Sequence, residues 1–130
     1  MKKLIFLLLA VMMLTACGQD TEKGQGAVYV NITAKEAKRI MDSEDGYVIL
    51  DVREQDEYDA GHIPGAILLP YTQIEEKAEE ELTDKDQLIL VYCRSGRRSK
   101  IAAEALAELG YSNIKEFGGI IDWPYEVEKP

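Results

Sequence analysis

Short apolar runs alternate with amphipathic helical patterns from residue 28 onward, and this alternation restricts the possible folds. The runs at 47–51, 66–69 and 87–92 have the length and composition of buried strands. A brief run at 28–30 and another at 114–117 are two further strand candidates. Strands that alternate with helices at this spacing build βαβ units. We therefore predict a three-layer α/β/α domain with a central parallel sheet that is covered on both faces.

Four segments between the predicted strands carry helical patterns. Thr33 and Glu36 have the spacing of a capping box, which predicts a helix start at this point. Residues 54–60 have room for one or two turns, and residues 74–82 place an apolar residue at every fourth position with acidic residues between them. The last helix is predicted to close at Gly110. Its predicted apolar face consists of Ile101, Ala102, Ala105, Leu106 and Leu109.

Length and composition limit the possible classes of function. The chain has 130 residues, which is room for one compact domain. Its formal net charge of -9 disfavours binding to nucleic acid phosphates. One histidine, His62, and two cysteines, Cys17 and Cys93, exclude zinc sites with two imidazoles and clusters held by four thiolates. We expect a monomer with no metal, no cofactor and no nucleic acid partner.

The N-terminus has the form of an export signal. Two lysines precede an apolar run at 4–14, which is too short to span a bilayer. Residues 14–17 read Leu-Thr-Ala-Cys and resemble the bacterial lipobox, in which the cysteine is lipidated and cleavage falls before it. We predict a lipoprotein signal peptide at 1–16 and a lipid on Cys17. A secreted protein without lipid and an uncleaved anchor are the alternatives.

Lipidation of Cys17 would leave the rest of the chain outside the cytoplasm, anchored to a bacterial membrane. Residues 17–27 are polar and rich in glycine, so we predict a flexible tether there and a folded domain at 28–130. Cys93 would then be the only free thiol of an exported protein. Such a cysteine is either buried or used in chemistry.

The most informative segment is 93–99, which reads Cys-Arg-Ser-Gly-Arg-Arg-Ser and directly follows the predicted strand at 87–92. A helix should begin a few residues later, so loop amides and the positive end of the helix dipole would surround the sulfur. Together with three arginines they would lower the pKa of the Cys93 thiol and favour the reactive thiolate. We expect this side chain to lie in the loop rather than in a core layer. The alternative is a buried structural cysteine followed by a basic turn.

Three separated motifs resemble those of the rhodanese-like sulfurtransferases. The first is the loop at 93–99, and the second combines Asp-Val-Arg-Glu at 51–54 with Gly-His-Ile-Pro-Gly-Ala at 61–66. The third is Phe-Gly-Gly at 117–119, followed by Trp123. The resemblance covers nearly the whole predicted domain. It implies a three-layer α/β/α fold in which the loop cysteine carries sulfur as a persulfide.

The resemblance also implies a role for each matching residue. Cys93 matches the nucleophile. Substrate-binding positions, whose amides surround the sulfur and whose side chains help to select the substrate, are matched by Arg94, Ser95, Gly96, Arg97 and Arg98. Positions that support the loop structurally are matched by Asp51, Arg53, Glu57, His62 and Ser99. For His62 we prefer this supporting role to that of a catalytic base, because a thiolate needs no base to attack sulfur.

We therefore expect a sulfurtransferase that moves sulfane sulfur from a small anion such as thiosulfate to cyanide or a thiol through a Cys93 persulfide. A phosphatase or arsenate reductase of related fold would use a longer Cys-x5-Arg loop. Here Arg98 stands at Cys-x4-Arg and Ser99 occupies the next position, so sulfur chemistry is favoured. An extracytoplasmic persulfide carrier or a tethered interaction module is the non-enzymatic alternative.

Overall fold

The computed structural model describes residues 28–130. The predicted signal peptide at 1–16 and the predicted tether at 17–27 lie outside the described residues and stay predictions. Within residues 28–130, no helix is both long and apolar enough to cross a membrane.

Strands and helices alternate along the described part of the chain. The strands are β1 (Val30–Asn31), β2 (Val48–Asp51), β3 (Ile67–Leu68), β4 (Ile89–Cys93) and β5 (Ile114–Gly119). The α-helices are α1 (Ala34–Ser43), α2 (Gln55–Ala60), α3 (Ile74–Glu81) and α4 (Arg97–Glu108). Two short 3₁₀ turns, Tyr71–Gln73 and Ile120–Asp122, precede α3 and follow β5.

The five strands form one parallel sheet in the order β1-β5-β4-β2-β3. All residues of the central strand β4 are buried, as expected for a strand covered on both faces. The predicted three-layer α/β/α arrangement with a central parallel sheet is therefore confirmed. Its carboxyl edge collects the ends of β2, β4 and β5, which is where ligands bind in sheets of this kind.

The edge strand β1 begins later than the run at 28–30 predicts. Val28 is 71% exposed, whereas Val30 and Asn31 pair with Lys115 and Glu116 of β5. A run of apolar residues identifies strand-forming sequence, but the neighbouring strand decides which residues pair. The strand thus begins two residues later than predicted, and the Asn31 side chain lies against Glu116 of β5.

Two apolar clusters cover the two faces of the sheet. Helices α3 and α4 pack on one face, and α1 packs on the other together with the C-terminal segment. The predicted stripe of α3 is confirmed, because Ile74, Ala78 and Leu82 are all buried. In α4 the buried residues include Ala102 and Leu106, but Ile101 is 43% exposed. The prediction for Ile101 was wrong because the covered face of α4 is centred one position later, toward Ala103.

Asp51 at the end of β2 holds a buried hydrogen-bond network together. Its carboxylate accepts hydrogen bonds from Nε and Nη2 of Arg53, the latter at 2.7 Å, and from the Tyr92 hydroxyl at 2.7 Å. The Tyr92 oxygen accepts in turn from the Ile63 amide, and Arg53 also donates to the Gly61 carbonyl. The network thus joins β2, β4 and the segment before β3 at the edge that carries Cys93.

We predict that Asp51→Ala lowers the free energy of unfolding by about 3–5 kcal/mol, because it leaves the buried Arg53 charge without its partner. Asp42→Ala is the matched control. It breaks the exposed pair with Lys38 on α1, which solvent screens, and should cost far less free energy of unfolding than Asp51→Ala. Urea unfolding of both variants measures the difference, and equal small losses would contradict the structural role of Asp51.

Candidate active site

Strand β4 delivers Cys93 to the carboxyl edge of the sheet. Residues 94–96 form a tight turn, and α4 begins at Arg97. Cys93 pairs in register with Gly119, the last residue of β5, so the turn lies against the end of that strand. The sulfur is therefore close to the N-terminus of α4, as the sequence predicts.

The Cys93 sulfur is buried among hydrogen-bond donors. The Gly96 amide donates to Sγ at 3.0 Å, and the Ser99 Oγ lies 3.4 Å away. Burial raises the pKa of the Cys93 thiol, but hydrogen bonds from the Ser99 side chain and from the amides of Ser99, Gly96 and Ser95 together hold it below its ordinary value. The site favours a thiolate.

The expectation that the Cys93 side chain lies outside the core layers was wrong. Cys93 is the last residue of β4, is only 1% exposed and belongs to the cluster packed under α3 and α4. The predicted turn begins one residue later, at Arg94. The candidate nucleophile Cys93 is thus a core side chain whose sulfur accepts a hydrogen bond from the Gly96 amide of the turn.

Two glycines allow the turn to take this shape. Gly96 has φ +112°, which a residue with a side chain adopts only with strain. Gly119 lies so close to the turn that a Cβ would be 1.9 Å from the Arg94 carbonyl oxygen. The same carbonyl accepts a hydrogen bond from the Ile121 amide at 3.2 Å. With this carbonyl held toward β5, the Gly96 amide points to the sulfur.

The three arginines of the loop have different surroundings. Arg94 and Arg97 are exposed, and the Arg97 guanidinium lies 5.9 Å from the Tyr71 ring centroid. Arg98 is half-buried and binds Glu57 of α2 with two hydrogen bonds of 2.8 and 2.9 Å. Arg94 and Arg97 therefore remain accessible to a solute anion, whereas the Arg98 fork is occupied by a carboxylate.

A cavity of about 400 Å³ opens beside Arg94. Arg53 and Glu57 contribute polar groups to its wall, and Ile121 and Val127 contribute apolar surface. The cavity is the space next to the turn that a donor or acceptor molecule could enter.

His62 is packed between Tyr58 and the C-terminal segment. Its ring stacks on Tyr58 with 3.8 Å between ring centroids, and its Nδ1 lies 2.9 Å from the Tyr58 carbonyl oxygen. Its backbone forms an isolated antiparallel bridge with Glu128, whose carboxylate lies 3.5 Å from Nε2. These contacts attach the C-terminal segment to the segment after α2. The assignment of a supporting role to His62 stays a prediction.

Sequence reasoning missed one buried carboxylate at this site. Glu116 of β5 is fully buried, and its Oε2 accepts hydrogen bonds from the Ser99 hydroxyl at 2.5 Å and from the Gly118 amide at 3.0 Å. Asn31 of β1 donates to Oε1 at 2.6 Å. Alternation along 114–117 could have revealed it, since Glu116 takes the same inward register as the buried Ile114.

A three-layer α/β/α domain whose central parallel strand ends in a cysteine, followed directly by a tight turn, is the class of domain that this geometry defines. Residues 33–124 match the model of the rhodanese-like domain family. This chain belongs to the rhodanese-like domain family.

Several curated proteins are similar to this chain. It is 37% identical over 73 residues to the thiosulfate sulfurtransferase PspE of Escherichia coli, covering 56% of this chain and 70% of that protein. It is 35% identical over 97 residues to the thiosulfate sulfurtransferase GlpE of Coxiella burnetii, covering 74% and 88%. It is also 37% identical over 98 residues to the putative sulfur carrier protein YrkF of Bacillus subtilis, covering 75% of this chain but only about half, 52%, of that protein. Sulfur transfer is thus the activity named among its relatives.

Solved structures agree with this assignment. A rhodanese from E. coli determined with anions has a TM-score of 0.61 and 33% identity, covering 65% of this chain and 99% of that one. The solution structure of a rhodanese-like domain from Anabaena has a TM-score of 0.72 and 27% identity, covering 79% and 81%.

We predict an acid-dependent loss of stability from the Glu57–Arg98 pair. The hydrogen bonds that Glu57 accepts from Arg98 lower the pKa of Glu57 from 4.5 to about 2. The pair therefore contributes fully above about pH 4.5, and the contribution is lost as the pH falls toward about 2. The difference in free energy of unfolding between wild type and Glu57→Gln should shrink over this range. Urea titrations at several pH values measure it, and a difference that does not change with pH would contradict the prediction.

Proposed function

We propose that this protein is a sulfurtransferase that takes sulfane sulfur from a small anion such as thiosulfate and passes it to cyanide or a thiol. The observation that carries the proposal is the Gly96 amide 3.0 Å from the Cys93 sulfur at the carboxyl end of β4. Amides directed at this sulfur stabilise negative charge on it, which a nucleophilic thiolate requires.

The reaction proceeds in two displacements. The Cys93 thiolate attacks the outer sulfur of thiosulfate, a bond forms between the two sulfurs, and sulfite leaves with the electron pair of the broken S–S bond. A Cys93 persulfide remains. A nucleophile then attacks the outer sulfur, and Cys93 leaves as the thiolate, which restores the starting state.

The exposed arginines supply the charge that a dianionic donor needs. Arg94 lies at the wall of the cavity beside the turn, and Arg97 lies at the start of α4. Both are exposed, so they attract the anion through solvent and their effect weakens as salt is added. The loop amides, by contrast, act at the sulfur itself.

The position of Arg98 favours sulfur transfer over phosphoryl transfer or arsenate reduction. A phosphate-binding loop of the Cys-x5-Arg type needs its arginine to grip an oxyanion above the sulfur. In this chain Arg98 comes one position earlier, and both of its terminal nitrogens bind Glu57.

A persulfide carrier is the alternative to an enzyme. Both would use the same first displacement, and they would differ in how fast the second displacement occurs.

We predict that incubation with thiosulfate adds the mass of one sulfur atom to the protein and that cyanide removes it as thiocyanate. Cys93→Ala should gain no sulfur and show no thiocyanate formation, while remaining folded, because alanine preserves most of the buried contacts. Intact-mass measurement follows the loading, and a colour assay for thiocyanate follows the turnover.

The other cysteine provides the matched control for this experiment. Cys17→Ser should load sulfur as wild type does, because Cys17 precedes residues 33–124, which match the family model. Loading of Cys93→Ala, or loss of loading in Cys17→Ser, would contradict the assignment of the nucleophile. Loading without turnover would indicate a carrier rather than an enzyme.

We further propose that the domain is held outside the cytoplasm by a lipid on Cys17. The supporting features are the two lysines, the apolar run at 4–14 and the residues at 14–17. Stable attachment needs two or more acyl chains, because one chain holds a protein only marginally. The residues at 17–27 would then let Cys93 reach soluble or membrane-bound acceptors.

We predict that a labelled fatty acid is incorporated into the wild-type protein in bacterial cells and that Cys17→Ser takes up none. The variant should also accumulate at the mass of the uncleaved precursor, since cleavage depends on the lipidated cysteine. Gel fluorography and membrane fractionation report both effects. Recovery of unlabelled wild-type protein in the soluble cytoplasmic fraction would contradict the anchor.

A further inference from the structure

Cys93 and Glu116 share a single hydroxyl group. The Ser99 Oγ lies 3.4 Å from the Cys93 sulfur and 2.5 Å from Oε2 of Glu116. Ser99 and Glu116 are 0% exposed and Cys93 is 1% exposed, so all three residues are buried. A carboxylate and a nucleophilic sulfur are thus connected by one buried serine.

The Ser99 hydroxyl carries one proton, and the Gly96 carbonyl at 3.1 Å and the Gly118 carbonyl at 3.4 Å are further acceptors beside it. It therefore cannot donate to Cys93 and Glu116 at once. When Cys93 is a thiol, the S–H donates to Ser99, and Ser99 donates to the Glu116 carboxylate, which satisfies all three groups. When Cys93 is a thiolate, two anions compete for the same hydroxyl proton. One anion then loses a hydrogen bond in a buried site, and the two negative charges also repel each other.

We propose that Glu116 is a positioning residue that withholds the Ser99 hydroxyl from the Cys93 thiolate and thereby destabilises the free thiolate relative to the persulfide. The carboxylate is fixed by two further donors, the Gly118 amide and the Asn31 side chain, so it cannot turn away from Ser99. The Ser99 hydroxyl lies closer to Glu116 than to the sulfur, so it lowers the pKa of Cys93 less than it would without Glu116. The thiolate then relies mainly on backbone amides, of which Gly96 is the nearest.

The consequence for sulfur transfer rests on the proposed function. In the persulfide the inner sulfur is bonded to the outer one and carries no charge, so the conflict with Glu116 disappears. The negative charge lies one S–S bond farther from the carboxylate, toward the exposed turn at Arg94 and Ser95. Glu116 thus favours the loaded protein and slows the departure of Cys93 as a thiolate in the second displacement.

Other charged and titratable groups also face these residues. The pKa of Arg98 of α4 is raised by its hydrogen bonds to Glu57 of α2 and also by the charge of Cys93. The pKa of Tyr29, which precedes β1, is raised by burial and by the charges of Glu116 and of Glu104 of α4. None of these groups contacts the Ser99 hydroxyl, so they do not replace Glu116 in the competition.

The first test measures the rate of Cys93 alkylation by iodoacetamide between pH 4 and 10 in wild type and Glu116→Gln. Glutamine has nearly the same shape, and its neutral oxygen is a weaker acceptor than a carboxylate. We expect the variant to react about tenfold faster on the acid side of the profile, because its Ser99 hydroxyl can donate to the thiolate. Glu104→Gln removes the same charge from the exposed surface of α4 and should leave the profile unchanged. An unchanged or slower profile in Glu116→Gln would overturn the proposal.

Ser99→Ala tests the same competition without altering the carboxylate. If Glu116 holds the hydroxyl, Ser99→Ala changes acid-side alkylation of the otherwise wild-type protein by less than about threefold, and a tenfold loss overturns the proposal. In the Glu116→Gln background the same substitution should reverse the gain. The single Ser99→Ala variant keeps the proposal testable if Glu116→Gln fails to fold.

A second measurement separates this proposal from the proposed function. After loading with thiosulfate, persulfide loss to cyanide should be faster in Glu116→Gln than in wild type, as followed by intact mass. Equal rates of loss, with a shifted alkylation profile, would overturn the effect on the persulfide and leave the competition intact. If no variant loads sulfur, the proposed function fails, while the alkylation profiles still decide the role of Glu116.

Discussion

The close approach of the Cys93 turn to the end of β5 is the constraint on which the rest of the site depends. The Arg94 carbonyl occupies the space that a Cβ of residue 119 would take, so only glycine can stand there. The Ile121 amide, in the 3₁₀ turn that follows β5, donates a hydrogen bond to this carbonyl. Because the carbonyl is held toward β5, the following amides turn toward the sulfur, and the left-handed Gly96 completes the curve. The chemistry at the sulfur thus follows from the fit of one turn against one strand end.

Two ion pairs hold the elements around that turn. Asp51 and Arg53 bind each other in the buried network at the end of β2, and Glu57 binds Arg98 across the gap between α2 and α4. Both pairs involve residues that the family resemblance assigns to the site, and both keep charge engaged within the protein. The accessible positive charge at the turn therefore comes from Arg94 and Arg97. Within the segment 94–98, Arg98 is thus engaged in an ion pair, whereas Arg94 and Arg97 are exposed.

The sequence was sufficient to predict the parallel sheet, the helix start at Thr33 and the position of the cysteine after the central strand. These features follow from local periodicity and capping, because the pattern that indicates each of them lies within one short stretch of the sequence. It was not sufficient to predict that Cys93 is a core side chain, that Ile101 faces solvent or that Glu116 meets Ser99. Each of these depends on how two distant segments pack, and periodicity indicates the face of an element but not its partner. The family resemblance supplied candidate residues without supplying their contacts.

The surroundings of Cys93 differ in polarity on its two sides. Toward the turn, amides and the N-terminus of α4 favour negative charge, and Arg94, Ser95 and Arg97 are exposed there. Toward the core, the Glu116 carboxylate opposes negative charge and competes for the nearest hydroxyl. A charge on the inner sulfur experiences both sides, whereas a charge on an outer persulfide sulfur lies nearer to the donors. A buried carboxylate beneath a nucleophile would hinder an enzyme that needs only a thiolate, but it suits the proposed function, in which Cys93 accepts a sulfur atom and keeps it until an acceptor arrives.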